Sequence, residues 1–214
     1  MWFRKAIHLT VIASAMLVNA EANATISVTG GNLHVYAKQG TFFSAGPFDV
    51  PFVPPSTSAA ADILPPDPDW YAHETVSFVN GQITVSTRIE WQFDTDNASG
   101  FLNITEDAPE TMSMQIYDGY FGVFYVGGVT LTRVGGGTVY SDVGFGGGGA
   151  FLHQQSIALT PGQYTLTWNT DGRAQTGFSG PGGFDFIMSV PEPSSLASLG
   201  VIGVAALMRR RRVK

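Results

Sequence analysis

Alternation of apolar and polar residues over positions 82–93 is the pattern that most restricts the fold of this chain. Its apolar side carries one polar residue, Thr87, and otherwise consists of Ile83, Val85, Ile89, Trp91 and Phe93. Successive side chains of a β-strand point to opposite faces of its sheet. The period of two therefore predicts a long strand with one face buried and the other in solvent.

Shorter copies of this pattern recur along residues 25–190. These copies lie at residues 33–35, 112–116, 164–168 and 184–188. Residue pairs that favour tight turns separate the segments, namely Asn80-Gly81, Asp118-Gly119, Pro161-Gly162 and Asp171-Gly172. Short strands separated by such turns favour antiparallel pairing. No part of residues 25–190 has a helical stripe, so the prediction is all-β: a single antiparallel β-sandwich or jelly roll.

Two stretches depart from the pattern. Residues 46–70 contain seven prolines, which predicts an extended or irregular loop rather than a central strand. Residues 135–149 are dense in glycine and are expected to form a mobile loop. A loop as long as the first often carries function, so a binding site is expected there.

The first 24 residues have the organisation of a signal peptide. Arg4 and Lys5 precede an apolar region at 6–18, and Ala22-Asn23-Ala24 supplies small residues before a cleavage point. We expect signal peptidase to cut after Ala24, following Sec-type export; a cut after Ala20 is the weaker choice. The domain outside the cytoplasm is then 25–189.

The C-terminal segment 190–214 combines an apolar stretch with a basic end. Leu196–Met208 would span about 20 Å as a helix, less than the roughly 30 Å core of a bilayer. The stretch would span only by drawing in Pro193, Ser194 and Ser195, and the apolar helix is placed at about 194–208. The basic end predicts a stop-transfer flank held in the cytoplasm by Arg209, Arg210, Arg211 and Arg212. The short span predicts transient insertion in the inner membrane.

These C-terminal features, in this order, resemble the PEP-CTERM sorting signal of Gram-negative bacteria. The resemblance rests on Pro191, Glu192 and Pro193, the apolar helix and the arginine cluster, and it covers about one eighth of the chain. It implies that an exosortase reads the Pro-Glu-Pro motif while the arginines hold the precursor in the membrane. It also implies delivery to the cell surface or exterior, in association with exopolysaccharide or biofilm. The preceding domain resembles no family that we can name.

Composition narrows the classes of partner. The chain has no cysteine, which excludes disulfides and thiolate metal sites. Residues 25–190 hold 15 acids against four bases, a formal charge of −11 (4 − 15) compared with −6 for the whole chain. Such a domain is repelled by nucleic acid, so no nucleic-acid partner is expected.

No motif in the domain predicts catalysis or a cofactor. Residues 144–149 fit a dinucleotide-binding glycine pattern formally, but that pattern needs a preceding buried strand and a following helix. His34, His73 and His153 form no zinc motif, and His73-Glu74 is assigned to a surface or packing role. The acids are interpreted as solvated surface charge, since no pair is favoured for glycoside hydrolysis.

A calcium site near Asp94 and Asp96 stays open as an alternative. The loop lacks the glycine and glutamate of an EF-hand, but carboxylates and loop carbonyls at a strand end are ligands that calcium accepts. The preferred interpretation is a solvated turn that ends the long strand. We therefore predict no metal and no cofactor.

Aromatic residues provide the one indication of a ligand. Trp91 and Trp168 lie on the apolar sides of their segments and are assigned to the core. Trp70 and Tyr71 follow the proline-rich stretch and are candidate contacts for a sugar ring. The run from Tyr117 to Tyr125 is assigned to packing, with sugar stacking as the alternative.

Three classes of function follow. The first is a non-catalytic surface or extracellular-matrix protein, the second a carbohydrate-binding β-sandwich module, and the third a secreted hydrolase. The first agrees best with the tail and with the lack of catalytic motifs.

Overall fold

A computed structural model describes residues 26–39, 43–63, 71–91, 96–118, 125–145, 151–172 and 180–189. These residues form thirteen strands and, within the described ranges, no helix. The strands are β1 Ile26–Gln39, β2 Phe43–Pro51, β3 Ser56–Asp62, β4 Tyr71–Val79, β5 Gln82–Trp91, β6 Asn97–Glu106, β7 Glu110–Asp118, β8 Tyr125–Arg133, β9 Thr138–Phe145, β10 Phe151–Leu159, β11 Gly162–Gly172, β12 Gly180–Gly182 and β13 Asp185–Ser189.

The strands form two antiparallel sheets. The six-stranded sheet has the order β2-β1-β6-β11-β8-β9, and the seven-stranded sheet has the order β10-β7-β13-β5-β4-β3, with β12 paired to β5. The core of buried side chains draws on both sheets. The prediction of an antiparallel β-sandwich is confirmed.

Strand β5 shows how the sequence pattern produces burial. Ile83, Val85 and Ile89 are fully buried on its inner face, and Thr87 is buried with them. Burying one such aliphatic side chain contributes about 1.5–3 kcal/mol. The strand ends at Trp91, while residues 92–95 lie outside the described part of the chain.

The proline-rich stretch contains two strands, so the prediction of a loop over 46–70 is wrong for 46–51 and 56–62. Strands β2 and β3 are each the last strand of their sheet. Proline has no N–H to donate to a neighbouring strand, which confines it to edges, and Pro47 and Pro51 both lie in β2. Residues 64–70 lie outside the described ranges.

The glycine-rich stretch is also more ordered than predicted. Strand β9 covers Thr138–Phe145, and the turn before it is closed by hydrogen bonds from Arg133 N to Gly137 O at 3.1 Å and from Gly136 N to Arg133 O at 3.0 Å. Gly135, with φ of 72°, supplies the left-handed conformation that this turn needs. Residues 146–150 lie outside the described part.

Residues 26–189, as far as the structure describes them, belong to one compact unit, Thr25–Val190. In those residues no helix is long and apolar enough to cross a bilayer. The predicted signal peptide, the predicted apolar helix at 194–208 and the arginine cluster lie outside the described residues.

Candidate functional site

Tyr71 begins β4 and lies on the outer face of the seven-stranded sheet together with His73. Their rings stack with centroids 4.6 Å apart and planes inclined by 28°. His73 Nε2 lies 2.5 Å from Oδ1 of Asp62 on the neighbouring edge strand β3. His73 and Asp62 are about half exposed, so the three side chains form a polar aromatic patch, the Tyr71 patch, open to solvent. Trp70, the other predicted sugar contact, lies outside the described residues.

The next strand extends the Tyr71 patch with charge. Arg88 of β5 is the register partner of His73, and its guanidinium Nη1 lies 2.9 Å from Oδ1 of Asp185 on β13. Farther along β4, the Thr75 and Ser58 hydroxyls lie 3.0 Å apart. This surface therefore presents hydroxyls, both signs of charge and one aromatic stack, a set that suits a polar ligand lying flat on the sheet.

Neighbouring residues His73 and Glu74 do not form a common site. Alternate residues of a strand point to opposite faces, so His73 is outward and Glu74 points into the core. Glu74 is only 1% exposed, and its Oε1 accepts a hydrogen bond from Trp168 Nε1 on the opposite sheet. A packing role is correct for Glu74, and a surface role is correct for His73.

Burial changes the acid–base behaviour of Glu74. It raises the pKa of Glu74 to about 8, and the hydrogen bonds from Trp168 and from the His34 backbone lower it only in part. Oε2 has no hydrogen-bond partner among the described residues. A neutral carboxyl inside the sandwich acts as a structural group that joins the two sheets.

Asp96 is likewise buried, so its interpretation as part of a solvated turn is wrong. Its Oδ1 accepts a hydrogen bond from the backbone N of Lys38 at 2.9 Å, which ties the end of β1 to the start of β6. Asp94 lies outside the described residues. Across the described ranges no three His, Asp or Glu side chains lie close enough together to hold a metal.

Glu106 is the third buried acid and a further exception to the interpretation of all acids as solvated. It is 1% exposed at the end of β6, where Oε1 accepts a hydrogen bond from Ala108 N at 3.4 Å. Burial is the main cause of the raised pKa of Glu106. Glu74, Asp96 and Glu106 are thus buried at three separate places in the fold, where each accepts its own hydrogen bond.

The other two histidines are also paired with aspartates near sheet edges. His34 Nδ1 lies 2.9 Å from Asp49 Oδ1 on β2, and Asn32 Nδ2 donates to the same oxygen at 3.3 Å. His153 of β10 lies 2.5 Å from Asp142 Oδ2 of β9, a contact that links one sheet to the other. All three histidines of 25–190 thus make separate surface pairs.

The aromatic residues divide between core and surface. Trp168 is 3% exposed and packs edge-on against Phe186 at 5.7 Å, which confirms its predicted core position. Tyr117 is 51% exposed beside its register partner Leu152, which is 60% exposed. The predicted packing role of Tyr117 is therefore wrong, because its side chain lies at the surface. The side chains of the other aromatic residues up to Tyr125, and the side chain of Trp91, lie outside the described part of the structure.

Sequence reasoning missed a buried hydroxyl network between the sheets. Thr87 Oγ1 of β5 lies 2.7 Å from Thr170 Oγ1 of β11, and Phe184 N donates to Thr87 Oγ1 at 3.1 Å. The one available signal was the polar residue on the apolar side of 82–93. Its partner lies 83 positions away along the chain, so no local pattern identifies it.

The predicted processing residues all lie outside the described ranges. These are Ala22 and Ala24 at the signal-peptide cleavage point, the motif Pro191, Glu192 and Pro193, and the stop-transfer residues Arg209, Arg210, Arg211 and Arg212. Their roles rest on sequence.

Comparison with known families assigns the tail. Residues 189–212 match the PEP-CTERM protein-sorting motif, which confirms the resemblance seen in the sequence. Apart from Ser189 at the end of β13, the match does not extend over the two sheets. No protein with a curated description matches the chain.

Similar solved structures are distant. A galactotriose complex of the carbohydrate-binding module TmCBM61 has 9% identity and a TM-score of 0.35, over 65% of this chain and 90% of that one. A carbohydrate-binding module of the β-sandwich superfamily has 6% identity and a TM-score of 0.24, over 79% and 86%. The isomalto-dextranase of Arthrobacter globiformis bound to panose has 11% identity and a TM-score of 0.25, over 78% and 32%. Scores this low carry no argument about ligand or activity.

Proposed function

We propose that this chain, whose C-terminus carries a PEP-CTERM sorting motif, is a non-catalytic surface or extracellular-matrix protein sorted by an exosortase. The observation that carries the proposal is the family match at residues 189–212. The motif is typical of exported proteins that are held briefly in the membrane. Association with exopolysaccharide or biofilm is the finer part of the proposal.

The chemistry of the tail supports a two-step route. Arginines 209–212 resist passage into the bilayer core, where an arginine costs about 2.5–3.5 kcal/mol on insertion scales. The precursor is thereby retained while Pro191, Glu192 and Pro193 are presented outside the cytoplasm. Cleavage near that motif would leave the apolar helix and arginines behind and deliver the domain to the cell surface or medium.

The described domain supports a non-catalytic role through the positions of its ionisable groups. Its three histidines are bound to aspartates at three separate surface points, and Glu74, Asp96 and Glu106 are buried in the fold. Acid–base catalysis needs several such groups around one reacting centre, whereas these pairs and buried acids lie at separate places among the described residues.

The test replaces Pro191 and Glu192 with alanine in the full-length chain and follows it in the native host. We expect the double variant to accumulate as an uncleaved, membrane-bound precursor, because the exosortase no longer recognises it. Ser198→Ala, inside the apolar segment, is the matched control and should be processed normally. Unchanged cleavage and surface delivery of the motif variant would contradict sorting by this motif.

A second candidate function is binding of a carbohydrate at the Tyr71 patch. The observation in its favour is the outward stack of Tyr71 on His73, flanked by Asp62, Arg88 and nearby hydroxyls. Aromatic faces beside hydrogen-bonding groups suit sugar rings, whose apolar faces stack while their hydroxyls bind polar atoms. The neutral or weakly charged part of an exopolysaccharide is the proposed ligand.

Titration of the compact unit Thr25–Val190 with the host's exopolysaccharide tests this candidate. We expect Tyr71→Ala and Trp70→Ala each to raise the Kd for the polysaccharide at least about tenfold, which corresponds to a loss of about 1.4 kcal/mol of binding free energy. Phe101→Ala is the control, since Phe101 is 39% exposed on the other sheet. Equal binding by all three variants, or no binding by the parent protein, would remove the candidate.

A further inference from the structure

Within the described residues the sandwich has four edge strands, and they are not equally protected. These are β2 and β9 in the six-stranded sheet and β3 and β10 in the seven-stranded sheet. An edge strand exposes unpaired backbone N–H and C=O groups that can pair with another chain. Natural proteins blunt such edges with prolines, bulges, charges or a covering element.

Three of the four edges carry one of these devices. β2 contains Pro47 and Pro51 and is paired to β1 with an irregularity between Val35 and Ala37. β9 pairs with β8 through two register shifts, next to Gly127 and next to Leu131. The short strand β3 lies against β2 of the other sheet.

Strand β10 has none of these devices among the residues that the structure describes. It pairs with β7 over nine consecutive residues without a bulge, and its sequence, Phe151–Leu159, contains no proline, lysine, arginine or acid. Residues 152–156 are exposed on both faces of the strand. The contact of His153 with Asp142 joins β10 to β9 of the other sheet, and β10 is the last strand of its own sheet among the described residues.

We propose that β10 is a strand-addition surface that pairs, antiparallel and about a two-fold axis at Gln155, with β10 of a second copy of this chain. The pairing continues the seven-stranded sheet from one copy into the next. It does not depend on the sorting route.

Self-complementarity identifies a second copy as the occupant. About Gln155, Leu152 faces Ala158 of the other copy, Gln154 faces Ser156, and Gln155 faces itself. Directly opposed pairs in an antiparallel ladder contribute most when they are apolar or hydrogen-bonding, and like charges there are destabilising. This register joins apolar to small apolar residues and amides to a hydroxyl or an amide, and it places His153 opposite Ile157. No charge opposes a like charge.

Charge also favours this edge over others. With 15 acids and four bases in 25–190, two copies repel one another at most approaches. The acids nearest to β10 on its own sheet are Asp118 and Glu110, at the two ends of β7, while Asp142 of β9 in the other sheet is paired with His153. In the paired sheet the β7 strands of the two copies are three strand spacings apart, about 14 Å. That exceeds the roughly 8 Å screening length at physiological salt.

Sedimentation of Thr25–Val190, the unit that contains both sheets and the described core, tests the pairing across a range of concentrations. We expect a reversible dimer. Gln155→Lys places two ammonium groups opposite one another and should weaken dimerisation at least about tenfold. The control is Gln163→Lys, because Gln163 is exposed on β11, an interior strand of the other sheet. This variant adds the same charge and should leave the dimerisation constant unchanged.

A charge exchange separates a broken contact from a damaged fold. Gln155→Glu alone should also be monomeric, whereas an equal mixture of Gln155→Lys and Gln155→Glu should dimerise, because the charges then attract. A misfolded variant would not be rescued by mixing. If either variant fails to fold by circular dichroism, it is replaced by a double variant on the opposite face of β10. Gln154→Lys with Ser156→Lys opposes like charges, and Gln154→Glu with Ser156→Glu is its partner in the mixture. A monomer at every concentration, or a dimer that these substitutions leave intact, overturns the proposal.

Discussion

Trp168 on the six-stranded sheet donates a hydrogen bond from its indole Nε1 to Oε1 of Glu74 on the seven-stranded sheet. Both side chains are buried, at 3% and 1% exposure. An ionised carboxylate without a cation is costly in such a place, and the raised pKa of Glu74, about 8, reflects that cost. The core of the sandwich therefore contains a carboxyl group that is neutral at pH 7.

Glu74 makes stability depend on pH in a defined window. Its folded pKa of about 8 lies above the ordinary value of 4.5, so the folded state holds an extra proton between these values. Stability contributed by the neutral form is present below pH 4.5 and is lost as pH rises to about 8, by up to about 1.4 kcal/mol per pH unit. Glu74→Gln should remove that part of the slope in denaturant unfolding measured from pH 5 to 9.

Asp171→Asn is the control for this experiment, because Asp171 is partly exposed on the same strand as Trp168. Glu106, whose pKa is also raised by burial, makes the same contribution to the pH dependence of stability in the parent and in the variant. That contribution therefore cancels when the two slopes are compared. An unchanged slope in Glu74→Gln would show that Glu74 is ionised in the fold.

The Thr87–Thr170 pair should show energetic coupling. Thr87→Val removes the acceptor for Phe184 N and the partner of Thr170 Oγ1, and an unsatisfied buried group costs about 1–3 kcal/mol. Thr170→Val should cost a similar amount. The double variant should lose less stability than both losses added together, with a coupling of about 0.5–3 kcal/mol from a double-mutant cycle. Simple additivity would mean that the hydroxyls do not interact.

Gly183 is a position where a side chain cannot be added. A Cβ there would lie 2.1 Å from the carbonyl O of Thr87, and φ is +140°. Gly183→Ala should therefore strongly reduce the unfolding free energy or prevent folding. Gly81→Ala is the matched variant, since φ is +74° and nothing lies within 4 Å, and it should cost only about 1–2 kcal/mol. Similar losses in both would contradict the close backbone contact.

The His153–Asp142 contact should contribute little to stability. His153 is 50% exposed and Asp142 24% exposed, so solvent screens the pair. We expect His153→Gln to change the unfolding free energy by less than about 1 kcal/mol, with a smaller effect at high salt. Thermal unfolding at two salt concentrations measures this, and a larger loss that salt leaves unaltered would assign the contact to packing instead.

Sequence patterns predicted the interior of the sandwich better than its edges. The alternation around Ile83 and Val85 is produced directly by one buried face, so it is visible in a single strand. Strands β2, β3 and β9 were missed because proline and glycine weigh against strands in general. At an edge, a missing N–H or a bulge is tolerated, and which strand becomes an edge depends on the order of the whole sheet.

The candidate site was less predictable for a related reason. His73 and Glu74 are adjacent in sequence, yet the pleat sends one to solvent and the other to the core. Glu74 instead meets Trp168, 94 positions along the chain. Tyr71 was identified as an aromatic candidate, but its stack on His73 and its place beside Asp62 depend on the β3–β4 pairing.

By itself, the sequence determined the strand period, the turns at Asn80-Gly81 and Pro161-Gly162, the acidic and cysteine-free character of the domain, and the sorting motif at residues 189–212. These are local properties, readable within a few consecutive residues. The turn predicted at Asp171-Gly172 is wrong, because both residues lie in β11. Only the tertiary structure decided that Glu74, Asp96 and Glu106 are buried, that Thr87 meets Thr170, and that β10 is the last described strand of its sheet. Those outcomes depend on strand order and register, which are set by pairings between residues far apart in the chain.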